Sequence, residues 1–337
     1  MKIGHEEFKK LTLGAIRLEK DRDGEHFHRF TEAERATIVK PMHLVRSRSG
    51  SGVVLDFATD AKRIRFHASL TPGSSHNWGL FDFDCEGVLV AHGGSMDVAG
   101  APEYDFDVGL DGRPHRYTLH LPHLAHAALK DFELEGATFV EPRRRSRRIV
   151  FYGDSITQGY SAVHPELTYV SLVAAAFDAE SRNLAVGGDT FHPELVRSAP
   201  ADAPRPDLVI CAYGTNDWTN CTEECFVEKA NDFFASLNDV YPGVPVAALQ
   251  PIWRKTEVRI TKAGSFENAR RIVAEAAKRD TLAQVIPGDG MVPQLAEFFA
   301  DGSLHPNDLG FSVYARNLVR ELRRCYPFLT GEPSAGG

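Results

Sequence analysis

The chain has 337 residues, 43% of them hydrophobic and 25% charged, and a formal net charge of −8. This is the composition of a soluble globular protein and excludes a disordered or fibrous chain; the acidic balance argues against a nucleic-acid partner, which needs a basic footprint, and weakens any case for a membrane surface. No apolar run approaches membrane-spanning length, and "MKIGHEEFKK" lacks the apolar core of a secretory signal, so a cytoplasmic location with five reduced cysteines is expected.

The first part of the chain reads in period two. In "SGVVLDFAT", Val53, Leu55 and Phe57 share one face; "KRIRFHASL" alternates Ile64, Phe66, Ala68 and Leu70 against Arg63, Arg65, His67 and Ser69; "HRYTLHLP" repeats the pattern at Tyr117, Leu119 and Leu121. Turn sequences such as "TPGSS" and "DGRP" separate these runs, and no stretch has a convincing helical period. Residues 1–142 are therefore expected to form an antiparallel, jelly-roll-like β-sandwich. "EPRRRSRR" follows, and its arginines read as a solvated linker rather than an interaction patch.

From residue 143 to 337 the period changes. "RIVFYG", "SRNLAVGG", "DLVICAYG", "VPVAALQP" and "LAQVIPG" are short apolar runs, each ending in Gly or Pro. Helical patterns lie between them. "EECFVEKANDFFASLNDVY" places Phe226, Ala230, Phe233, Leu237 and Val240 on one face, and "SFENARRIVAEAAKRD" does so with Ala269, Ile272, Val273 and Ala276. Buried strands alternating with amphipathic helices predict a parallel, doubly wound sheet whose ligand sits beyond the carboxyl ends of the strands.

Polar clusters stand where such strands would end: "GDSIT", "GGDT", "GTND" and, beyond a further helix, "DGSLHPND". Each alone is weak, and Ser155 alone is as good a helix cap as a nucleophile. Together they supply every role in acyl transfer. Ser155 is a nucleophile, His305 its base and Asp301 the carboxylate that orients the base. The Ser155 amide, the Gly188 amide and the Asn216 side chain are candidate oxyanion donors.

The blocks "GDSITQG", "NLAVGGDT", "YGTNDW" and "LHPNDLGF" resemble the four signature blocks of the SGNH (GDSL-type) hydrolases over about residues 147–325. The resemblance implies a flavodoxin-like three-layer α/β/α domain and esterase, lipase or acyltransferase chemistry without metal or cofactor. Its site would consist of Ser155, Gly188, Asn216 and His305. A sandwich ahead of such a domain is similar to two-domain carbohydrate esterases. The family usually places its acid three residues before the histidine; here that residue is Gly302, and Asp301 stands four before. Either Asp301 reaches the imidazole through a bulged loop or a backbone carbonyl orients it, and Asp301 is the expected partner.

Trp218 and Trp253 follow the third and fourth strands and are expected to wall the substrate. Cys221 and Cys225 lack further zinc ligands at a suitable spacing, and "GEHFHRF" and "LPHLAH" read as surface histidines, so no metal is expected. The expected function is a serine esterase acting through an acyl-enzyme on a small-molecule ester, with a short acyl group on a carbohydrate or metabolite. An acyltransferase would use the same site. The rival from another class is a flavodoxin-like module binding a flavin at "SITQG", which gives Asn216 and His305 no role.

Overall fold

The computed structural model describes residues 1–279 and 282–330. The chain forms two compact units, and the division is not a single cut. The first comprises residues 1–30, 45–145 and 163–166, and the second residues 31–44, 146–162 and 167 onward.

The first unit carries β1 (Thr12–Leu13), β2 (Arg17–Lys20), β3 (Glu25–His28), β4 (Val54–Thr59), β5 (Arg63–Thr71), β6 (Gly79–Cys85), β7 (Val88–Ser95), β8 (Glu103–Gly109), β9 (His115–His120), β10 (His126–Glu135) and β11 (Val140–Pro142). They make two antiparallel sheets, in the orders β1-β4-β9-β6-β7, with β11 on β4, and β2-β3-β10-β5-β8. Alternation puts Leu55, Phe57, Phe81, Phe83 and Leu119 of one sheet against Ile64, Phe66, Leu129 and Phe132 of the other in one core. Phe66 packs edge-on to Phe81 across it, with ring centroids 5.5 Å apart. The sandwich expectation holds, but helix is present where none was expected: His5–Leu11 before the first strand and Pro41–Arg46 before β4. Each is too short for its apolar period to register in sequence.

The arginine run is less solvated than expected. The Arg143 amide donates to the Asp56 carbonyl, and Arg145 Nε donates to the fully buried Asp56 carboxylate at 2.6 Å.

The second unit holds β12 (Arg147–Gly153), β13 (Ala179–Asn183), β14 (Leu208–Ala212), β15 (Val246–Leu249) and β16 (Ala283–Ile286), all parallel, in the order β13-β12-β14-β15-β16. This is the flavodoxin-like order, whose switch point lies between the first strand's two neighbours. The second strand is displaced from its expected position. It runs over Ala179–Asn183, and Leu184 and Val186 continue beside β12 only through amides to the Phe151 and Gly153 carbonyls. An edge strand with one neighbour tolerates the polar alternation of "AESRN", which reads weakly. The helices Glu223–Val240 and Phe266–Ala277 fall where the period puts them, capped by Thr222 and Ser265.

Candidate active site

Ser155 opens a one-turn helix, Ser155–Gln158, directly after β12. Its cap is Asp154, whose Oδ1 accepts the Ile156 amide at 3.0 Å, so the serine hydroxyl is not consumed by capping. The approach is tight: a Cβ on Gly153 would lie 2.2 Å from Thr157 Oγ1. Thr157 Oγ1 in turn accepts the Tyr169 hydroxyl at 2.8 Å. Two side chains tie this turn to the next loop. Asn183 Nδ2 donates to the Thr157 carbonyl at 2.9 Å, and Gln158 Oε1 accepts the Gly187 amide at 2.7 Å.

His305 arrives from far along the chain. Its Nε2 lies 2.9 Å from Ser155 Oγ, and its Nδ1 lies 2.9 Å from Asp301 Oδ2. The extra residue of "DGSLH" is absorbed in a turn. Gly302 takes φ 63°, in the left-handed region. Asp301 Oδ1 accepts the Ser303, Leu304 and His305 amides at 2.9, 2.7 and 3.2 Å. Partial burial pushes the Asp301 carboxyl up, but the hydrogen bonds from His305, Leu304 and Ser303 outweigh it and hold the group well below the usual carboxylate range. The Tyr160 ring lies beside the imidazole, centroids 5.9 Å apart.

Asn216 sits in the helix Thr215–Asn220 after β14 and donates from Nδ2 to the Asp189 carbonyl at 2.9 Å. Gly188, at φ 84°, immediately precedes Asp189. The second and third polar blocks are thus in direct contact. Asp217 braces them: Oδ1 accepts the Phe191 amide at 3.0 Å and Oδ2 the Gly214 amide at 3.1 Å. Burial pushes the carboxyls of Asp154 and Asp217 up to about 7 each. Asp189 pairs with His192 at 2.9 Å and borders a groove of about 640 Å³ that Lys40, His43 and Lys229 also line.

The two tryptophans separate. Trp218 is 1% exposed, packs edge-on to Phe266 at 5.0 Å and donates Nε1 to the Gly264 carbonyl at 3.0 Å. It is a packing residue, and its expected place on the substrate wall is corrected: an indole so enclosed has no face left for a ligand. Trp253 is half-buried after β15, against Phe299 at 5.0 Å. Sequence reasoning missed Gln158, Asn183 and Arg254. Gln158 stood inside a recognised block. Arg254 had no signal, yet its Nη1 donates to the Thr215 carbonyl and hydroxyl at 3.2 and 3.0 Å, and its guanidinium lies 5.0 Å from the Trp218 ring centre.

A serine after the first strand of a 2-1-3-4-5 parallel sheet, with an imidazole between its hydroxyl and a carboxylate, defines the SGNH class of carboxylic-ester hydrolases. The sequence model of the GDSL-like lipase/acylhydrolase family matches residues 151–313. No curated protein has a significant sequence match. Solved structures share the fold over nearly the whole length. The salicylyl-acyltransferase SsfX3 of a tetracycline biosynthetic pathway has 21% identity and a TM-score of 0.79, covering 93% of this chain and 94% of its own. A protein described as a GDSL-like lipase from Bacteroides ovatus has 20% identity and a TM-score of 0.76, covering 95% and 96%. A family two carbohydrate esterase from Clostridium thermocellum, in complex with cellohexaose, has 16% identity and a TM-score of 0.66, covering 93% and 98%. Among the described residues no helix is long and apolar enough to cross a membrane.

Proposed function

We propose that the chain is a serine esterase that cleaves a short acyl group from a carbohydrate or small metabolite through an acyl-enzyme. Ser155 Oγ attacks the ester carbonyl as His305 Nε2 takes its proton, and the alcohol leaves carrying that proton. Water then attacks the acyl-serine with His305 again as base, releasing the acid and restoring the serine. Asp301 stabilises the imidazolium. The Ser155 and Gly188 amides and the Asn216 side chain hold the oxyanion; Asn216 Nδ2 gives one hydrogen to the Asp189 carbonyl and keeps one for the substrate. Trp253 is the aromatic assigned to the substrate side. The observation that carries this reading is the pair of 2.9 Å contacts on the two imidazole nitrogens.

An acyltransferase would differ only in the second step, where another alcohol replaces water. The likeness to a salicylyl-acyltransferase, TM-score 0.79, is the reason to test it. The experiment uses 4-nitrophenyl esters of increasing acyl length with quenched-flow mass spectrometry. A nitrophenol burst and an acyl mass on the Ser155 peptide are expected, both absent in Ser155→Ala. Wild-type turnover by Ser155→Ala would overturn the mechanism. Added sugar alcohols that accelerate turnover and appear as new esters would mark a transferase.

A further inference from the structure

On the first unit's β1-β4-β9-β6-β7 sheet, alternation turns Phe81 and Phe83 into the core and Asp82 and Asp84 to the opposite face. Pairing sets His92 of β7 and His120 of β9 directly beside Asp82. Asp82 is nonetheless fully buried, because residues 163–166 cover it. That segment lies in sequence just after the serine-bearing turn and brings His164 and Glu166 onto the same face.

The side chains converge as two sets of three. Asp82 Oδ1 lies 2.7 Å from His92 Nδ1 and 3.0 Å from His164 Nδ1, while Asp82 Oδ2 accepts the Glu166 amide at 3.0 Å. The two imidazole rings are 4.1 Å apart. Beside them, Asp84 Oδ2 lies 3.1 Å from His120 Nε2, and Glu166 completes a second set. Within each set one donor atom per residue lies within 4.8 Å of the others.

We propose that Asp82 Oδ1, His92 Nδ1 and His164 Nδ1 bind a divalent transition-metal ion of the zinc class. Two imidazoles and one carboxylate are the donor set that imidazole-preferring metals favour over calcium or magnesium. In a tetrahedral zinc site, ligand atoms about 2 Å from the metal stand about 3.3 Å from one another, so separations of 2.7 and 3.0 Å need only a small outward movement. His92 and His164 keep 28% and 25% of their side chains exposed, which leaves a side for a water as fourth ligand. The Glu166 amide, donating to Oδ2 of the buried Asp82, supplies the outer hydrogen bond that orients this carboxylate as a ligand. The ion would pin residues 163–166 to β6. Its role is structural, and it enters no step of the ester chemistry.

The test uses the untagged full chain, stripped with chelator and titrated with zinc by calorimetry, with cobalt as a spectroscopic probe. One equivalent should bind with a dissociation constant near or below about 1 μM, raise the melting temperature and give cobalt the strong visible absorption of a four-coordinate site. His92→Ala, His164→Ala and Asp82→Asn should each weaken binding at least about tenfold, no less than the loss of an outer-shell partner, while Asp84→Asn keeps it. His92→Ala changes a partly exposed side chain and serves if Asp82→Asn does not fold. No saturable zinc binding would overturn the proposal. So would binding that survives His92→Ala and His164→Ala, or that is lost only in Asp84→Asn.

Discussion

Asp301 shows how one residue's two oxygens divide their work. Oδ1 takes three amides of its own turn and Oδ2 faces the imidazole. In Asp301→Asn the carbonyl oxygen would stay with the amides and the NH2 would face His305 Nδ1. That forces the ring proton onto Nε2, where Ser155 needs an acceptor. We expect kcat to fall about a thousandfold or more with the fold unchanged, read from steady-state kinetics beside a thermal melt; a loss under tenfold would leave the orienting to other groups. Asp154 offers a prediction about pH. Burial raises its carboxyl from the ordinary 3.8 to about 7, so between those values the folded chain holds a proton that the unfolded chain has released. Its contribution to stability is present at low pH and lost as the pH climbs through that window. Asp154→Asn keeps an oxygen for the Ile156 amide and should match the wild type near pH 4 but melt roughly 3 °C or more higher at pH 8. Equal melting at both pH values would refute the buried-charge account. The four blocks made these residues legible in sequence. At Asp301 the sequence leaves a bulged loop and a backbone carbonyl as alternatives, because the left-handed backbone at Gly302 that forms the turn cannot be read from residue types alone.

At the scale of elements, period and capping were readable wherever an element buries one face. Val53, Leu55 and Phe57 alternate plainly, and the helix over Glu223–Val240 shows its stripe. What escaped was governed by single polar contacts. Arg145 reads in sequence as one of a row of solvated arginines, but Asp56 gives it a buried partner. The five-residue helix Glu32–Ala36 has almost no apolar stripe and is set by its ends. Thr31 accepts the Glu34 amide, Glu34 accepts the Thr31 amide, and Arg182 of β13 donates to the same Glu34 oxygen at 2.6 Å. The Glu34 side chain is wholly buried. Arg182→Met would leave that carboxylate without its cation and should cost about 3 kcal/mol in urea unfolding. Adding Glu34→Gln should recover most of the loss; a single variant as stable as the wild type would show the pair to be dispensable.

For the whole molecule, the position of residues 31–44 has a practical reading. They belong to the second unit, so a fragment of residues 143–337 lacks part of its own body, including the Glu34 partner of Arg182 and the buried Ile38. Such a fragment should melt well below the intact chain or fail to stay soluble, and a fusion restoring residues 31–44 should recover stability. A fragment as stable as the intact chain would show that the segment contributes nothing. The same placement bears on synthesis. Glu34 and Arg182 are 148 residues apart, so at 5–20 residues per second the glutamate is added to the chain roughly 7–30 s before its arginine. The sandwich cannot close over Asp82 until residue 166 has emerged. The first unit therefore cannot finish folding until the serine-bearing turn of the second has been made, and a nascent chain stalled between residues 145 and 163 would hold two incomplete bodies rather than one finished domain and a tail.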